Sequence, residues 1–231
     1  MSGQSTIPPT RTLPLEGEGK GGGAVPLCHP DERKSCGACC GLYNWEDHSR
    51  ETLQSLLRAK TSLFHSVGRD PESYARRYAA EALPRSPKLL EVIYNCEFLG
   101  FLDAGEKRVG CLLHPAANDG EELRYHCSVY GPVLCAGHLC PSHDHLTAIE
   151  RESVIASLDD WYLYGLVITD IDLVKEFCRI VQARLGDTIR QEKLRDPAVG
   201  RALRDFFQLK ERWKFASTKR RLGKYHFSHS E

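Results

Sequence analysis

The stretch SCGACCG, residues 35–41, puts Cys36, Cys39 and Cys40 side by side between small residues. A C-x2-C spacing lets one tight turn present two thiolates to one metal, and Gly37 eases that turn. Cys40 follows Cys39 directly, so its side chain leaves the backbone in a different direction. It joins the same ion only if the loop bends sharply; otherwise it serves a second metal or stays a reactive thiol. The segment therefore reads as an irregular ligand loop.

Working outward, further cysteines sit in loops of the same kind. Leu89 to Leu102 (LLEVIYNCEFLGFL) is apolar and mixed, and residues 105–108 read as a turn before Val109 to Leu113. Together they predict a small hairpin carrying Cys96 and Cys111. Cys135 and Cys140 bracket CAGHLC, whose small residues again suit a ligand turn. Thiolates select zinc, Cu(I) or iron–sulfur and disfavour magnesium or calcium. Cys36, Cys39, Cys40, Cys96, Cys111, Cys135 and Cys140 exceed one mononuclear site. They supply two zinc ions, or one cluster with spare thiols. The bland alternative is a set of reduced core cysteines, since free cysteine is among the most buried residue types. Cys178, on the apolar stripe of a helix, is read that way. Cys28 is either ligand or idle thiol, and Cys127 is read as structural. Among the histidines, His114 and His138 are the better ligand candidates, although a supporting role is commoner. His143 to His145 suits a helix start, capped by Ser142 or Asp144.

Composition bounds the rest. The chain has 231 residues, 41% of them apolar, with 31 Lys plus Arg against 31 Asp plus Glu. Zero net charge argues against a broadly basic nucleic-acid-binding body. No run approaches the ~20 apolar residues of a membrane helix, and Trp161 to Ile168 fits a buried helix. Residues 1–20 lack an apolar signal-peptide core. The expected setting is the reducing cytoplasm, where disulfides are rare. No phosphate-binding Gly-rich loop, Gly-x-Ser-x-Gly or His-Glu-x-x-His occurs, and the sequence names no reaction.

The fold class expected is mainly α, with a small irregular or β-hairpin cysteine-rich metal-binding region, in a single globular domain. Residues 1–27 read as a disordered leader, 28–145 as the cysteine-cluster region, 146–212 as helices packed on it and 213–231 as a basic, flexible tail. Helices are expected over 47–67, 70–83, 146–164, 170–185 and 196–212. Asp70-Pro71 and Asp196-Pro197 are start signals that combine an N-cap carboxylate with proline at the first helical position. Lys210 to Lys224 holds seven Lys or Arg residues with interleaved aromatics. It is read as a solvated helix end in preference to an RNA-binding segment.

SCGACCG, then CEFLGFLDAGEKRVGCLLHP, then YGPVLCAGHLCPS resemble the YkgJ-like cysteine-cluster family, described as zinc- or iron-chelating. Its members show C-x2-C-x2-C-C near the start, then a Cys with a Phe-Leu phrase, another Cys with an apolar phrase, and a final Pro-x-x-Cys segment. Residues 36–140 follow that order. The family's first cysteine falls at Arg33, with Cys28 upstream at a different spacing, and the usual Arg-Pro reads Gly131-Pro132. The resemblance implies a chelating site and no particular chemistry. Two functions follow as expectations. One is an iron–sulfur or zinc protein with a redox role and a redox or protein partner. The other is a structural zinc module that acts as a non-catalytic interaction protein.

Overall fold

Carboxylates and hydroxyls in front of apolar runs decide where the helices begin. Asp70 accepts from the backbone N–H of Ser73, Asp160 from Leu163, Asp170 from Leu173 and Asp196 from Ala198. Each satisfies an amide that the first helical turn leaves without a partner. These caps recur in a computed structural model of the chain, which describes residues 26–125, 135, 140–187 and 189–212.

The elements run α1 (Arg50–Ser66), α2 (Pro71–Ala80), β1 (Leu99–Phe101), β2 (Val109–Cys111), α3 (Ser142–His145), α4 (Ala148–Ser157), α5 (Trp161–Ile168), α6 (Ile171–Leu185), α7 (Gln191–Leu194), α8 (Pro197–Phe207) and α9 (Leu209–Arg212). The molecule is mainly helical and forms one body around a two-stranded antiparallel sheet. Leu99 pairs with Cys111 and Phe101 with Val109, so the expected hairpin is present. Cys111 closes β2, and Cys96 lies just before β1. Among the described residues no helix is long and apolar enough to cross a membrane.

α5 is the central post. All eight of its residues are buried. Trp161, Tyr162 and Leu166 pack with Leu42, Leu53, Leu57 and Phe101, joining α5 to α1 and the hairpin. Its other flank, Leu163, Tyr164, Val167 and Ile168, packs with Leu27, Val154, Leu203 and Phe207 from the helical layer. A third cluster around Phe64, Tyr74 and Phe98 holds α2 against the far end of α1. Hydroxyls tie the cysteine loops to the same post. Tyr43 donates to the Tyr162 carbonyl at 2.8 Å, Tyr164 to Leu27 at 2.8 Å and Ser142 to Ile168 at 2.6 Å.

Several boundaries differ from expectation. The helix expected from residue 47 starts later, at Arg50 with Ser49 as its cap, and Asp47 accepts from the backbone N–H of Ser49. The helix expected over 146–164 is two: Thr147 starts α4 with a capping box, and Asp160 interrupts the run and caps α5. Neither Ser142 nor Asp144 caps α3, because the Ser142 hydroxyl is spent on Ile168. The last helix breaks at Gln208 into α8 and α9. The α6 stripe is only partly covered: Val174 is buried, whereas Ile180 is 40% and Leu185 72% exposed. Its anchor is Phe177, stacked on Phe206 at 4.4 Å.

Candidate functional site

Local bonds hold the segments that carry Cys28 to Cys40 and Cys96. Asp31 and Lys34 bridge a tight turn, and the Cys36 amide donates to the Cys28 carbonyl at 2.9 Å. That turn folds Cys28 back beside Cys36, although eight positions separate them in sequence. Residues Ala38–Cys40 then form a single 3-10 turn, closed by Gly41 at φ 77°. A Cβ at Gly41 would collide with the Tyr94 carbonyl, so this position needs both the left-handed backbone and the missing side chain. The Cys96 amide donates to the Cys40 carbonyl at 3.0 Å, docking the loop before β1 onto this turn. Asn44 and Asn95 lock the junction, with Asn44 donating to Asn95 at 2.7 Å and Asn95 to Gly41 at 3.0 Å.

The thiols divide into two neighbourhoods. The charge of Cys140 acts on Cys28, those of Cys28 and Cys140 on Cys36, and those of Cys36, Cys140 and Cys28 on Cys39. On Cys40 act Cys96, Cys111 and Cys135; Cys111 in turn feels Cys96 and Cys135. By mutual electrostatic influence, Cys28, Cys36, Cys39 and Cys140 form a first group and Cys40, Cys96, Cys111 and Cys135 a second, and among the described residues neither stands at metal-ligand spacing. The direct Cys39–Cys40 linkage sends its two side chains to different groups. The groups are adjacent, since Cys28 is also felt at Cys40.

Ala38 donates its backbone N–H to the Cys36 sulfur at 3.5 Å, and the amides of Phe98, Leu113 and Ser142 favour the ionised forms of Cys96, Cys111 and Cys140. A bond to the ionised sulfur favours the thiolate and opposes desolvation. Burial still wins in the metal-free chain. It pushes Cys96 up to about 11, helped by Glu97, and Cys111 up to about 12, helped by Cys96. Cys39 and Cys140 interact closely enough that Cys39 is raised and Cys140 lowered, and the Cys140 thiol donates to the Ser142 hydroxyl at 3.4 Å.

Every cysteine among the described residues is a free thiol. Among the same residues no three His, Cys, Asp or Glu side chains stand at the spacing of a closed ligand shell. The seven sequence-predicted cysteines fall within the two groups, and Cys28 is the one that sequence reasoning left open. The Asp31–Lys34 turn, and not linear spacing, brings it beside Cys36. Cys178 lies apart on α6, half-buried, with its thiol pushed up to about 11 by burial and Glu150. His114 faces His29 at 6.1 Å between ring centroids. Burial, aided by His114 and Arg108, draws His29 down to about 4 and keeps it neutral at pH 7. Cys127, His138 and residues 213–231 lie outside the described residues.

Beside the second group opens a groove of about 730 Å³, walled by Trp45, Tyr78, Arg85, Tyr94, Asn95 and Glu97. Lys60 lies next to it, donating to the Cys96 carbonyl at 2.8 Å and facing the Tyr78 ring at 5.5 Å. Burial draws the Lys60 ammonium down to about 8. No protein family, curated protein or solved structure matches this chain.

Proposed function

We propose that this chain is a metalloprotein with two centres, each held by four cysteines, and that zinc is the metal. Cys28, Cys36, Cys39 and Cys140 hold one ion, and Cys40, Cys96, Cys111 and Cys135 hold the other. The observation that carries this reading is the division of eight thiols into two sets of four. Four thiolates complete a tetrahedral zinc shell and leave no open position for substrate. The role is then structural: the ions tie the turn at 28–40, the hairpin, Cys135 and Cys140 to one another beside α5. Binding draws the four sulfurs of each group into their shell and releases their protons. This energy becomes folding energy of roughly 10 kcal/mol or more per structural zinc. The resemblance of the cysteine order to the YkgJ-like family accords with this reading, which also takes the chain to reside in a reducing, cytoplasmic setting that keeps its thiols available.

A second reading replaces zinc by iron–sulfur clusters on the same ligands. It is favoured by the exposure of Cys39 and Cys135, one from each group, which brings both centres to the surface where an electron-transfer partner docks. Purification without oxygen, followed by metal analysis and a visible spectrum, tests both. A colourless protein with stoichiometric zinc is expected. Brown protein with iron and acid-labile sulfide selects the second reading, and protein free of both overturns the proposal.

A further inference from the structure

Three of the described lysines are buried: Lys34 at 0%, Lys210 at 1% and Lys60 at 2% exposure. Taking an ammonium out of water is costly unless an opposite charge accompanies it. Lys34 has Asp31 at 2.6 Å, and Lys210 has Asp170. Lys60 has no such partner among the described residues. Its Nζ donates to a neutral carbonyl, that of Cys96, and faces the Tyr78 ring. Glu97 attracts it from beyond ion-pair distance, and its carboxylate already accepts from the Tyr94 hydroxyl. Arg85, packed at 5.2 Å on the Tyr78 ring, repels it. What Lys60 faces instead is the second cysteine group, bonded through the Cys96 carbonyl, with Cys96 and Cys40 as the side chains whose ionised form would attract it.

We infer that Lys60 is the built-in counter-charge of the second cysteine centre, a positioning residue whose partner is the metal–tetrathiolate unit as a whole. Resting on the two-centre reading, the inference adds the charge state of one centre. Four thiolates around a divalent ion leave two net negative charges, and the same holds for four thiolates on a doubly positive iron–sulfur cluster. A buried unit of that charge is stabilised by a buried cation within reach. Lys60 is held against the backbone of one ligand, with its neighbour Tyr78 closing the other side. The first group has its own buried cation, Lys34, but Asp31 already neutralises it. The two centres therefore differ in net local charge, and only the second depends on a lysine with no carboxylate of its own.

The test is a Co²⁺ titration of the full chain under reducing conditions, following the thiolate-to-cobalt absorption of each equivalent. Wild type is compared with Lys60→Met, Lys60→Gln and Lys60→Arg, and circular dichroism checks that each variant is folded. Expected is a loss of tenfold or more in the affinity of one of two equivalents in the Met and Gln variants. The other equivalent should be unchanged, with most of the loss recovered in the Arg variant. Two equivalents at wild-type affinity in Lys60→Met would overturn the inference while leaving the two-centre reading intact. So would an Arg variant as weak as the Met variant, or equal weakening of both equivalents. A wild-type chain that takes up no Co²⁺ removes the metal reading itself, and this inference with it.

Discussion

Gly165 carries no side chain because the Tyr43 hydroxyl occupies the space that a methyl group would need. That hydroxyl donates to the Tyr162 carbonyl and fixes the segment after the cysteine turn to α5. Gly165→Ala is therefore expected to destabilise the fold by about 2 kcal/mol through overpacking. Tyr43→Phe in the same chain should recover part of that loss, because the clashing oxygen is gone; urea denaturation of the single and double variants measures both. Some single residues were readable in advance, and the reason is local. Asp70-Pro71 carries its whole instruction within four residues, and the structure uses Asp70 as the cap. Cys28 was not readable in that way. Its place beside Cys36 depends on the Asp31–Lys34 turn and on one backbone bond, neither of which leaves a mark in linear spacing. The split of Cys39 from Cys40 was foreseeable as an alternative, because adjacent side chains diverge. Which thiols each would join needed the third dimension.

At the level of elements, α4 tests how much a cap contributes. Thr147 accepts from the Glu150 amide while the Glu150 side chain accepts from the Thr147 amide at 2.7 Å. Thr147→Ala should lower stability by about 1 kcal/mol with no change in metal content; a thermal melt and a metal assay on one preparation decide it. The apolar period of the segment hid the break between α4 and α5, since both helices continue the same hydrophobic text. What separates them is Asp159-Asp160: Asp160 caps α5, and Asp159 pairs with Arg204 of α8 at 2.8 Å. Periodicity found the existence of α6 but overstated its burial. Nothing in a stripe of Leu, Val, Phe and Ile says where the neighbouring helices stop. The hairpin, by contrast, was legible because a turn between two short apolar runs has few other outcomes.

For the molecule as a whole, the Lys34–Asp31 pair and four cysteines, Cys28, Cys36, Cys39 and Cys40, share the segment at 28–40. Burial by itself would raise the Asp31 carboxyl; the hydrogen bond and charge of Lys34, with Arg33, overcome this and hold it below the usual range. Its folded value is thus lower than its unfolded one. The stabilisation is present above about pH 4 and is lost as pH falls through the depressed value. Asp31→Asn should cost about 3 kcal/mol near neutrality by stranding Lys34 and should flatten the acid limb of the metal-free chain, as followed by melting temperature against pH. The mainly helical class with its small hairpin was accessible from composition and cap signals, because these are properties of segments. The neighbours of each thiol were not, because they depend on how segments distant in sequence pack.

Native mass spectrometry of the intact chain, purified without oxygen, tests the central claim most directly when wild type is compared with Cys39→Ser and Cys40→Ser. The account predicts two metal ions per wild-type chain and one in each variant. It further predicts that the ion kept by Cys39→Ser is lost when Cys111→Ser is added, whereas the ion kept by Cys40→Ser survives that addition. A wild-type chain carrying no metal, or one whose two variants lose the same ion, would contradict it.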